Sequence, residues 1–376
     1  MRYVVLDSWR GIAALLVALF HFNVASVFSF NALTRHAFLF VDFFFVLSGF
    51  VISYAYAGRI GSGPALSAFM LRRLGRVYPA HVVVLGLLVA VELARLLVSL
   101  RVGQGTAFSQ GFWPEAIALH LAFLQIFDPV YVQSWNVPSW SIAAEVWTYL
   151  IFGVVCLVAK RWTTVALATL GAISAAVLIT RSDVGIGVID RLAVFRCVYG
   201  FAVGHLVWRA HRSLAVSDQS TATTMEVLAV AAIGLFVISA GHGALSFAAP
   251  IVFALAVGIF AQQAGGVSKW LTRPAFTRLG DLSYGIYIVH IFFVTLLNLA
   301  VAQIEKRAGL SLRFANPGDV TMTEVVRFET PGAGELATVI YLGVIVLAAV
   351  MLRRFVELPA SAAINALASS GVARRA

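Results

Sequence analysis

Charge is scarce in this chain. Of 376 residues only 12% are Asp, Glu, Lys or Arg, while 61% are hydrophobic. A soluble domain holds about 25% charged residues, so the composition excludes one. Cysteine is almost missing. Cys156 and Cys197 both lie inside apolar runs, which excludes a disulfide framework and reads as core packing. No HExxH, nucleophile elbow or Walker sequence occurs, and the glycines at 58, 61 and 63 follow no strand, so they make no phosphate loop and no metal is implied. Internal repeats and low-complexity tracts are absent. A net charge of +10 invites nucleic acid as a partner. The basic residues, however, sit in short loops between apolar runs, a membrane pattern that excludes that partner.

What the chain does have is long apolar runs over nearly its whole length. They are too long and too rich in Leu and Ala for the alternating strands of an outer-membrane barrel. The first is too long for a signal peptide and no small-residue cleavage site follows it, so it reads as an uncleaved helix. The fold class is all-α: a polytopic helix bundle in a lipid bilayer, one domain over 1–376. Ten spans fall at about 9–28, 37–57, 79–100, 142–159, 163–180, 192–208, 226–241, 246–263, 282–301 and 336–352. With the N-terminus inside, 17 of the 27 basic residues collect on one side, including Arg212, Arg374 and Arg375, and 8 on the other. The positive-inside rule then makes both termini cytoplasmic.

The stretch 116–127 is short for a crossing and reads as a helix lying in or dipping from the outer interface. Trp113, Trp135, Trp140 and Trp147 near it read as an aromatic belt. The outer loop 302–335, with a turn signal at Asn316-Pro317-Gly318, is either a cap on the outer mouth or a loose connector. The basic segment from Glu357 to Ala376 reads as a short cytoplasmic surface tail.

Ionisable residues inside the spans are costly and mark a functional site. Arg10 and His21 lie on one face of the first span. Eleven residues make about three turns, so the two side chains stand about 16 Å apart. Asp7 is placed to pair with Arg10, and Glu92 with Arg95, each three residues apart. Arg196 finds no neutralising neighbour in the sequence.

Five motifs occur in order: Leu6-Asp7-Ser8-Trp9-Arg10-Gly11 leading to His21; Val41-Asp42-Phe43-Phe44-Phe45 running to Ser48-Gly49-Phe50; Arg73-Leu74-Gly75-Arg76-Val77-Tyr78-Pro79; Trp140-Ser141 leading to Glu145; and Leu282-Ser283-Tyr284-Gly285-Ile286-Tyr287 running to His290. Together, over about 6–355, they resemble the acyltransferase-3 family of integral membrane acyltransferases. The resemblance implies transfer of an acyl group, most often acetyl, from cytoplasmic acyl-CoA to a hydroxyl. Acceptors are cell-envelope or exported glycans and, for some members, a macrolide or other small molecule. It implies a bacterial inner membrane, with His21 as the catalytic histidine and Arg10, Arg73 and Arg76 as the matching arginines. No His-x4-Asp box of the soluble glycerolipid acyltransferases is present; His36 and Asp42 are six apart.

The residues then take roles. An extended phosphopantetheine arm is about 16–20 Å long, comparable to three helical turns. A CoA phosphate near Arg10 therefore puts its thioester near His21. Imidazole suits a general base near neutrality, and Asp42, at a similar depth, is the candidate carboxylate to orient it. Arg73 and Arg76 suit the nucleotide end of CoA; alternatively they are ordinary charges just before the third span, with Pro79 at its start. Glu145, Trp140, Ser141, Tyr287 and His290 line the acceptor cavity, Trp140 stacking on a sugar face. The stripe of Ser283, Tyr287, His290, Val294 and Asn298 also suits interhelical packing. A transporter of acylated glycans is the competing reading.

Overall fold

The computed structural model describes residues 2–102, 107–109, 111–211, 213, 218–316 and 324–373. Arg212, Arg374, Arg375, Pro317 and Gly318 lie outside these residues. Each of the ten apolar runs carries a helix: α1 (Val4–His21), α2 (Phe40–Tyr56), α3 (Gly63–Val102), α4 (Ser139–Ala159), α5 (Thr163–Arg181), α6 (Ala193–Ala210), α7 (Gln219–Ala240), α8 (Ala249–Phe260), α9 (Pro274–Ala308) and α10 (Ala333–Leu352). A π turn over Arg353–Glu357 leads into α11 (Leu358–Ala373). Among the described residues the bundle is all-α apart from one hairpin, β1 (Arg313–Ala315) against β2 (Glu324–Val326).

Seven helical stretches among the described residues are long and apolar enough to cross a membrane. One of them, Ser139–Arg181, contains both α4 and α5, which meet at a sharp turn where Lys160 takes φ 48°. The helix α6 falls short in apolarity because it carries Arg196, His205 and Arg209. The helix α8 has only 12 residues, but a 3-10 turn over Ala244–Ala248 extends it. Large apolar side chains such as Val158, Leu235 and Leu255 stand 66–73% exposed along the helices, a surface suited to lipid rather than water. The protein is an integral membrane protein.

Two sequence expectations change, the helix start at Pro79 and the tryptophan belt, while the short 116–127 stretch is again too short to cross. Pro79 does not start the third helix. It lies inside a 40-residue helix that begins at Gly63, so Arg72, Arg73 and Arg76 sit within the helix rather than in a loop before it. Proline has no N–H to donate to the carbonyl four residues back. That carbonyl, of Gly75, receives the Ser361 hydroxyl from α11 at 3.5 Å instead. The segment after Glu357 carries α11, and its Ile364 packs on Gly75. Around 116–127, helix covers only Ala116–Leu121 and a 3-10 turn follows at Gln125–Phe127. Six residues span about 9 Å, too little to cross. Finally, Trp135 and Trp140 are buried, and the indoles of Trp135 and Trp147 donate to the carbonyls of Trp113 and Phe123 at 2.9 Å each. They knit the loop together rather than anchoring it at an interface.

Candidate functional site

Two glycines bring the site together. A Cβ on Gly280 of α9 would stand 2.3 Å from the Asp7 carbonyl oxygen, and one on Gly11 would stand 2.6 Å from the backbone of Leu279. Backbones can touch there only because both side chains are absent. His21 is ten residues beyond Gly11, and His290 is ten residues beyond Gly280. Two parallel helices in contact carry equal offsets to equal heights, so the two imidazoles meet. His21 Nδ1 lies 3.2 Å from His290 Nε2 and 2.9 Å from the Val17 carbonyl oxygen. His290 is fully buried. Just past the end of α1, Asn23 donates to Asn298 at 2.9 Å.

The hairpin docks immediately beyond. Val326 of β2 donates its N–H to the Asn23 carbonyl and accepts from the Ala25 N–H, both at 2.8 Å. The hairpin is thus tied to the segment after α1, two residues from His21. Arg35 donates to the Phe20 carbonyl at 2.9 Å and lies 5.1 Å over the Phe20 ring. It sits beside His21, where no sequence signal had placed it.

Asp42 does not orient His21. Both its oxygens accept from Arg196, at 3.0 Å from Nε and 2.7 Å from Nη2. Both residues are at most 1% exposed. The Arg196 guanidinium also lies 5.2 Å over the Trp140 ring. The arginine left without a partner, the carboxylate expected at the base and the tryptophan expected under a sugar therefore form one buried cluster. A buried bidentate pair of this kind satisfies the charge on α6. The pairs Asp7–Arg10, at 3.2 Å, and Glu92–Arg95 form as expected.

At the opposite end of α1 from His21 lies a cavity of about 610 Å³ lined by six arginines, Arg2, Arg10, Arg72, Arg73, Arg76 and Arg353, and three carboxylates, Asp7, Asp281 and Glu357. Three of the arginines are held by carboxylates: Arg2 by Asp7 and Asp281, Arg10 by Asp7, Arg353 by Asp281. The Nε–H groups of Arg72 and Arg73 are buried without a hydrogen-bond partner among the described residues. An unfilled buried donor is costly, and an anion supplies what is missing. Arg2 and Arg353 belong to the site although the sequence offered them only as topology signals. The fact that Arg353 follows a span directly was their one available hint.

A narrower cavity of about 180 Å³ continues inward and shares Asp7, Arg10, Arg73, Arg76 and Tyr284 with the first. Its inner walls are Val41, Phe44, Ser48, Ser141, Glu145 and Tyr287. Ser141, Glu145 and Tyr287, expected at the acceptor, thus share a chamber with the arginines expected at the donor. The chamber ends at Tyr287. The Ser141 hydroxyl lies 2.7 Å from the Tyr287 hydroxyl, which also reaches the Pro138 carbonyl at 3.3 Å, and Phe44 packs edge-on against the Tyr287 ring. His290 sits one turn further along α9, its ring 5.7 Å from that of Tyr287. His21 is above this closure and does not line the chamber.

A bundle of lipid-facing helices, with an arginine cavity at one end and an imidazole pair deeper within, defines a membrane protein with a charged site inside its helices. The chain belongs to the acyltransferase-3 family: the family described as "Acyltransferase domain" matches residues 3–353. It is similar to the exopolysaccharide production protein ExoZ of Rhizobium meliloti, with 25% identity over 74% of this chain and 80% of that one. It is also similar to the peptidoglycan O-acetyltransferase OatA of Listeria monocytogenes, with 26% identity over 77% of this chain and 49% of that one. A shorter match, 37% identical over 24% of this chain, joins it to protein 2 of the picA locus of Rhizobium radiobacter and covers 45% of that protein. The chain therefore spans about half the length of two of these relatives. No solved structure matches it.

Proposed function

We propose that the protein is a single-domain acyl-CoA-dependent O-acyltransferase of a bacterial inner membrane, with ten spans and both termini cytoplasmic. It transfers an acyl group, most simply acetyl, to a hydroxyl of a cell-envelope or exported glycan. The observation that carries this reading is the arginine cavity with its two unfilled Nε–H donors, leading into a chamber that points along α1 and α9 toward His21. The phosphates of CoA suit the arginines by bidentate hydrogen bonding, and the pantetheine arm suits the narrower passage. Likeness to a peptidoglycan O-acetyltransferase and an exopolysaccharide production protein supports the glycan acceptor.

In this reading the acceptor enters from the hairpin end. His21 takes the proton from its hydroxyl, and the oxygen attacks the thioester carbonyl. The tetrahedral intermediate collapses by breaking the carbon–sulfur bond, and the departing CoA thiolate takes the proton from the imidazolium. Tyr287 must swing from Ser141 to let the thioester through.

The test is acetyl-CoA consumption by purified protein in detergent with a hydroxyl acceptor. Wild type is expected to release CoA, His21→Ala to lose turnover with donor affinity kept, and Arg73→Ala to raise the donor KM about tenfold or more, as loss of a charged hydrogen bond does. A transporter shows no His21-dependent thioester loss, and that result would refute the proposal.

A further inference from the structure

With Asp42 committed to Arg196, no carboxylate among the described residues hydrogen-bonds His21. Its partners are the Val17 carbonyl at 2.9 Å and the Nε2 of His290 at 3.2 Å, both on Nδ1. We infer that His290 is the positioning residue of the active site, orienting the His21 ring and accepting, together with the Val17 carbonyl, from its Nδ1–H, so that the lone pair on Nε2 faces the acceptor. The inference rests on the proposed acyl transfer and deepens it.

The tautomer follows from the carbonyl. An oxygen 2.9 Å from Nδ1 can only accept, so a lone pair on Nδ1 would face a lone pair on oxygen. The proton therefore sits on Nδ1, and Nε2 is left free to take the proton of the acceptor hydroxyl. In that state His290 Nε2 is an acceptor too, and its own proton lies on Nδ1, buried without a partner among the described side chains. When His21 becomes imidazolium during attack, its Nδ1–H strengthens as a donor, and the two acceptors share the charge. A neutral imidazole does this with no net charge at the centre of the bundle, where an ionised carboxylate is expensive.

Burial and packing fix His290 in this role. It is fully buried, its ring packs in a T-shaped contact with that of Tyr287, and the Gly11–Gly280 contact sets its height. It does not line the chamber.

The experiment measures kcat and donor KM for wild type, His290→Ala and His290→Asn in detergent, with thermal melting of each. Asparagine offers an acceptor oxygen but does not titrate. The expected result is a fall in kcat of about 10–100-fold for His290→Ala, with donor KM within twofold. Partial recovery of kcat in His290→Asn is expected, with both variants melting near wild type. A wild-type kcat in His290→Ala, or equal loss in both variants, overturns the inference. If His290→Ala melts early, the Asn variant decides: its kcat must exceed that of alanine at matched folded fraction. Failure of the wider reading is separate, since then wild type itself releases no CoA.

Discussion

Asp42 shows how far residue identity reaches before geometry takes over. A carboxylate in a span signalled a site, and depth placed it near His21, but depth along an axis does not fix direction around it. The residue that decides its role, Arg196, is 154 positions away, and no local spacing joins them. The same blindness hid the encounter of His21 with His290, 269 positions apart. By contrast, Asp7–Arg10 and Glu92–Arg95 were legible because i and i+3 are neighbours on any helix. A structural role for Asp42 has a measurable signature. Asp42→Ala leaves the Arg196 guanidinium buried and uncompensated, and is expected to cost about 3–5 kcal/mol. The double variant Asp42→Leu, Arg196→Met is expected to recover most of that in a thermal melt, with kcat per folded molecule unchanged. A folded Asp42→Ala protein as inactive as His21→Ala would return the residue to catalysis.

Elements were legible in proportion to their apolarity. All ten runs became helices because twenty apolar residues in lipid satisfy their backbone only within themselves. Their ends were not, where tertiary contacts compensate a local rule. Pro79 read as a helix start, yet α3 passes through it because Ser361 of α11 occupies the Gly75 carbonyl that proline leaves free. Glycines in the spans gave no signal of their own; what a Cβ would strike is a property of the neighbouring helix. The contact of α1 with α9 tests that dependence. Gly280→Val must push the Asp7 backbone away, tilting α1 and separating the two imidazoles. Misplacement by about 1 Å can cost a hundredfold in rate, so the variant is expected to insert and bind donor but to turn over at least that much more slowly. Gly343→Val, where a Cβ meets nothing, is the control that should retain activity.

At the scale of the whole molecule the charge distribution sets direction. The arginines that line the large cavity lie at one end of the bundle, on the side of the first residues of α1 and α9 and the last residues of α10. The hairpin and His21 lie toward the other. In the proposed topology, with lysine and arginine retained on the cytoplasmic side, the large cavity faces the compartment that holds acyl-CoA, and the hairpin faces outward. Cys156 and Cys197 are free and buried, so replacing both with alanine gives a background for single reporter cysteines. Leu358→Cys, at the start of α11 beside the cavity, is expected to react with a membrane-impermeant maleimide only in inverted vesicles. Leu310→Cys, half-exposed before the hairpin, is expected to react only in right-side-out cells. Protection of Leu358→Cys by acetyl-CoA would tie orientation to donor binding in one measurement. Labelling of the two positions in the reverse pattern would turn the molecule over, leaving the arginines facing a compartment without the donor, and would remove the basis for an acyl group carried from one side to a hydroxyl on the other.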